Sequence, residues 1–126
     1  MSRSKPSGVR VSINESLDGD ESGGVWVSLG DPPLPDETAP RAGVMTFVKD
    51  PGPPPADELE RTRRLEGWLG NALVNIRGMA ENDERMHMPR MTPASADALR
   101  ARNAARIEAL EQAIAGTRKR LRTMVN

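Results

Sequence analysis

The chain has no cysteine and no tyrosine, and among its 126 residues it carries one histidine, one phenylalanine and two tryptophans. Without cysteine there is no disulfide, no thiolate nucleophile and no cysteine-ligated zinc or iron–sulfur centre, and the absence says nothing about compartment. With a single histidine, no tyrosine and no glycine-rich phosphate loop after a strand, no nucleophile, base and orienting group can be assembled from the residues. The expectation is a protein that is not an enzyme and that uses no cofactor and no small-molecule substrate. Long apolar runs are missing too: nowhere do eighteen apolar residues follow one another, and the basic Arg3 and Lys5 precede no apolar stretch. The reading is therefore neither a membrane span nor a standard secretion signal, and a cytoplasmic or virion location.

What is present divides into two materials. Residues 1 to 57 hold nine of the eleven prolines and seven of the eleven glycines, while the remainder is rich in Ala, Leu, Arg and Glu. A segment that rich in proline and glycine, and that poor in apolar residues, lacks the core material to fold unaided. Net charge is zero by cancellation: five Lys or Arg stand against nine Asp or Glu up to residue 57, about −4, and thirteen against nine thereafter, about +4. The two parts are thus built to attract each other or their neighbours.

In the first part, Val9, Val11 and Ile13 alternate with polar residues, as do Val25, Val27 and Leu29, and Val44 to Val48 is a third candidate. Period-two alternation of this kind is the mark of half-buried strands. So small a sheet needs a cover for its apolar face, and the helices are the available one. Asp50 to Pro55 reads as a stiff polyproline II spacer.

A first helix is predicted over 56–81, opened by Asp57 and Glu60 in a capping-box pattern, with Leu59, Leu65, Trp68, Leu69, Ala72, Leu73, Ile76 and Ala80 on one face. A second is predicted over 93–125, where the Thr92 hydroxyl caps the first amides and Pro93 takes a position that needs no N–H. Its seam has Ile107, Ile114 and Leu121 at heptad a with Leu110, Thr117 and Met124 at d, and weakens backwards to Asn103 and Arg100; it is too short for an assured coiled coil. Gly67, Gly70, Gly78 and Gly116 either admit a neighbouring backbone or weaken the helices locally. A connection over 82–92 would place Ile76 near Leu99 and Leu59 near Ile114, leaving Leu121, Met124 and Val125 beyond the start of the first helix. The fold expected is α+β, mainly α: a C-terminal antiparallel helical hairpin (56–126) and an extended Pro/Gly-rich N-terminal arm (1–55) carrying two or three short strands.

Three motifs are candidate sites. Asp18-Gly19-Asp20-Glu21-Ser22-Gly23 matches the opening half of a calcium loop, but Leu29 stands where the closing Glu belongs, and an acidic hairpin loop explains the residues. Met86-His87-Met88-Pro89-Arg90-Met91 gathers soft ligands suited to Cu(I), yet methionines also pack over helix ends or grip partner surfaces. Arg118-Lys119-Arg120-Leu121-Arg122 is a basic run that could neutralise phosphates, and equally one placed where cations suit a helix C-terminus. Metal is therefore not assigned, nucleic acid is disfavoured, and membrane-surface binding ranks lower still.

The function expected is a non-enzymatic structural or adaptor component of a larger protein assembly, acting through protein partners or self-association. The partner-binding residues expected are Ile107, Leu110, Ile114, Leu121, Met124, Val125, Met86, Met88 and Met91. Small proteins of this composition look like accessory virion components, a capsid-decorating or connector piece. The alternatives are a nucleic-acid-binding regulator using the basic end of the second helix, and a small metal-binding protein.

Overall fold

A computed structural model describes residues 8–15, 23–31, 43–50, 52, 53 and 55–125. Three antiparallel strands, β1 (Arg10–Glu15), β2 (Gly24–Gly30) and β3 (Val44–Lys49), form one sheet in the order β1-β2-β3, followed by two long helices, α1 (Glu58–Asn82) and α2 (Pro93–Met124). The architecture is α+β and mostly helical, and no helix among the described residues is long and apolar enough to cross a membrane.

Strand pleat decides which side chains enter the core, because successive residues point to opposite faces. β2 is the middle strand, and its inward Val25, Val27 and Leu29 are buried, together with Val48 and Thr46 of β3. Val9, Val11, Ile13 and Val44 pack around them, half-covered. The helices supply Trp68, Leu69, Ala72, Leu73, Ile76, Leu110 and Ile114 to the same cluster. Val27, Leu29, Ile76 and Leu110 are fully enclosed, each stabilising the fold by about 1.5–3 kcal/mol through removal of apolar surface from water. One core therefore draws on both compositional halves of the chain. Gly43 makes the closure between β2 and β3 feasible: its φ is +74°, and a Cβ there would lie 1.8 Å from the Leu29 carbonyl oxygen.

The caps follow their residues. Asp57 Oδ1 accepts from the Glu60 amide at 2.9 Å while Glu60 Oε2 accepts from the Ala56 amide at 2.6 Å, and Thr92 Oγ1 accepts from the Ser95 amide at 3.2 Å. The spacer before α1 is tied down as well. Asp50 accepts from the Trp68 indole N–H at 2.8 Å and pairs with Arg64 at 3.6 Å, and Arg64 donates to the Pro53 carbonyl.

The turn between the helices departs from the expected 82–92 connection. Helical structure continues past α1 as a π turn, Asp83–His87, and a 3-10 turn, Met88–Arg90. Pro89 accounts for both: its ring obstructs the carbonyl four residues earlier, so the α ladder widens before it and tightens around it. Reversal falls at Met91 and Thr92, both extended (ψ 161° and 154°), Thr92 being held so by Pro93. The two helical legs are in consequence nearly equal, and pairing is set roughly three turns further along α2 than expected. Arg77 meets Glu111 at 2.8 Å, Glu66 meets Arg118 and Glu58 meets Arg120 at 3.4 Å, an order that makes the helices antiparallel. The expected overhang of Leu121 is thereby corrected: it is half-buried, because α1 begins level with the last turns of α2. Among the described residues Gly67, Gly70, Gly78 and Gly116 admit no neighbour, since a Cβ built on any of them meets none of their atoms within 4 Å.

Candidate interaction site

A chain of polar groups runs from the end of β2 to the helical turn. Asp31, following β2, has a side chain 3% exposed and accepts two bonds from the guanidinium of Arg106 on α2, at 3.0 Å from Nε and 2.6 Å from Nη2. Arg106 Nη1 also donates to Asn103 Oδ1 at 3.3 Å; the Asn103 side-chain amide in turn donates to Asp83 Oδ2 at 3.0 Å, and Asp83 Oδ1 faces His87 Nδ1 at 2.9 Å. Partial burial pushes the Asp83 carboxyl up, but hydrogen bonds from Asn103 and His87 and the charges of His87 and Arg106 outweigh it, holding it below its ordinary value. The network clamps sheet to helices and fixes the imidazole at the rim of a groove.

That groove, open to solvent and about 640 Å³ in volume, lies between β3 and one stripe of α1, lined by Thr46, Val74, Asn75, Gly78, Met79, Asn82, Asp83 and His87. Residues three and four apart on a helix share a face, which is why Val74, Gly78 and Asn82 line it with Asn75, Met79 and Asp83. Asn75 Nδ2 donates to Thr46 Oγ1 at 2.8 Å and holds α1 against the strand. Val74 is 66% exposed and Met79 41%. β3 is an edge strand, paired on one side by β2 and, among the described residues, by no strand on the other. The Asp83–His87 pair could orient a base, but the lining contains one hydroxyl, Thr46, and it is buried and engaged by Asn75.

The sequence-derived partner residues are dispersed. Leu110 and Ile114 lie in the core, and Ile107 packs half-covered against it. Leu121, Met124 and Met91 are half-buried, whereas Val125 and Met86 are exposed. Met88 is buried with its sulfur accepting from Arg100 Nη2 at 3.4 Å, which withdraws it from a methionine–histidine ligand set. Arg100 is itself held by Glu84 and Asp97. Two cations of the basic run, Arg118 and Arg120, are paired with Glu66 and Glu58 across the helices. No group of three or more histidine and acidic side chains able to hold a metal occurs among the described residues; Asp18 to Ser22 lie outside them.

Sequence reasoning passed over Val74 and Met79, although both are apolar residues off the core-facing stripe of α1. It also missed the partnership of Asp31 and Arg106, for which a single acid after a strand gives no local sign. Comparison of the chain with protein-family models, with curated proteins and with solved structures finds no match in any of the three.

Proposed function

We propose that the protein is a non-enzymatic adaptor or structural component of a larger protein assembly, and that it holds its partner in the groove between β3 and α1. The observation that carries this reading is the coincidence, among the described residues, of an open sheet edge with exposed Val74 and Met79 lining one groove. An edge strand presents unpaired backbone donors and acceptors, and an extended segment can add to it while placing alternate side chains in the groove. Large apolar side chains left on a surface at such a place are the usual mark of a protein contact. The partner is accordingly an extended polypeptide segment with apolar residues at alternate positions. Affinity purification from the source cells, followed by native mass determination, tests it. Val74→Asp and Met79→Asp, both at exposed positions, should release the partner while the far-UV spectrum stays unchanged. Retention of the same complex by both variants would refute the groove as the contact.

A further inference from the structure

The outer face of the sheet carries a second surface, remote from the groove's lining. On β2 and β3, Trp26 pairs directly with Phe47, their ring centroids 5.2 Å apart in an edge-to-face arrangement, and Ser28 stands opposite Met45. Trp26 is 41% exposed and Met45 54%. Gly24 is what lets the pair form: a Cβ there would lie 2.5 Å from the Phe47 ring, so only glycine leaves room for it. Strand alternation places Arg10, Ser12 and Asn14 of β1 and Lys49 of β3 on this same face. Its described residues thus comprise an apolar strip with cations and neutral hydrogen-bond donors around it, and no carboxylate.

We infer that this face is a platform for a proline-rich segment in polyproline II conformation. Side chains, not backbone, are on offer here, so a ligand lying across the face must arrive with its own backbone solvated, which is the state of polyproline II. Proline has a carbonyl acceptor and no N–H, and the face supplies the matching donors in Arg10, Lys49, Asn14 and the Trp26 indole. From Met45 to Lys49 the strip is about 14 Å long at strand spacing, the length of four or five polyproline II residues. Aromatic grooves recognise such segments because the stiff ligand loses little freedom on binding. Single-stranded nucleic acid would also stack on the aromatic pair, but the chain has no net positive charge to draw a phosphate backbone to it.

The test is fluorescence anisotropy of a labelled peptide, DPPLPDETAP, which is this chain's own sequence from Asp31 to Pro40, titrated with the full chain. Because the chain carries the same prolines, a second titration uses Pro32→Ser/Pro33→Ser/Pro35→Ser, which removes the internal copy of the peptide's own proline cluster. Saturable binding by either protein is expected. It should weaken at least tenfold with Trp26→Ala or Met45→Glu, and when alanine replaces the peptide's prolines, while Val74→Asp leaves it unchanged. No binding by either protein would overturn the inference. So would affinity that Trp26→Ala and Met45→Glu both leave within twofold, or an oligothymidine bound more tightly than the peptide through Trp26. Since Val74 belongs to the groove alone, failure here is distinguishable from failure of the adaptor reading.

Discussion

Replacing Arg106 by methionine removes a buried cation and leaves its partner behind. Among the described residues the Asp31 carboxylate would then keep only Arg102, whose Nε lies 3.8 Å away, and the Asn103 side-chain oxygen Oδ1 would lose a donor. Breaking a buried pair by removing one member costs about 3–5 kcal/mol, because the surviving charge stays desolvated. Set against a total stability of about 5–15 kcal/mol for a domain of this size, that is about a fifth of the whole or more. A fall in melting temperature of about 10–20 °C follows. Urea unfolding monitored by far-UV circular dichroism measures the change, and the double variant Asp31→Leu/Arg106→Met supplies the control. With both charges gone the desolvation term disappears, so the double variant should recover to within about 1 kcal/mol of the wild type. A single substitution costing under about 1 kcal/mol, or a double variant no better than Arg106→Met, would show that this pair does not clamp the sheet to α2.

Three further outcomes follow from the same packing. Gly116→Ala should raise stability by about 0.5–1 kcal/mol in urea unfolding, since a helical glycine loses more backbone freedom than alanine and a Cβ here meets nothing among the described residues; a loss would reveal a neighbour pressed against α2. Trp68→Phe deletes the indole bond to Asp50 and should cost about 1.5–3 kcal/mol, with Asp50→Asn in the same background adding little. The Asp83 carboxyl is held low in the folded state, so its stabilisation is complete above the unfolded carboxylate value of about 4 and is lost as pH falls through the folded value. The stability gap between wild type and Asp83→Asn should therefore be widest near neutrality and close on acidification; a gap independent of pH would refute the assignment.

Much of the local structure was legible because it is written in short-range chemistry. Alternating Val25, Val27 and Leu29 mark a strand, Asp57 and Thr92 mark helix starts, and the stripe from Leu65 to Ile76 marks the face that the sheet covers. The register of the helices was not legible, since it depended on Pro89 converting the end of α1 into π and 3-10 turns instead of breaking it. Trp26 and Phe47 were visible only as residues out of phase with the inward ones; that they meet required the pairing of β2 with β3.

The amino-acid sequence by itself determined the elements, their caps, the inward face of each strand and the absence of cysteine chemistry, because periodicity, capping and residue type act within a few residues. Tertiary structure alone decided that Leu110 and Ile114 face the sheet, that Asp31 finds Arg106, and that a groove opens beside β3. Those outcomes join residues far apart in the chain, and their energies depend on burial and approach, which no local pattern encodes.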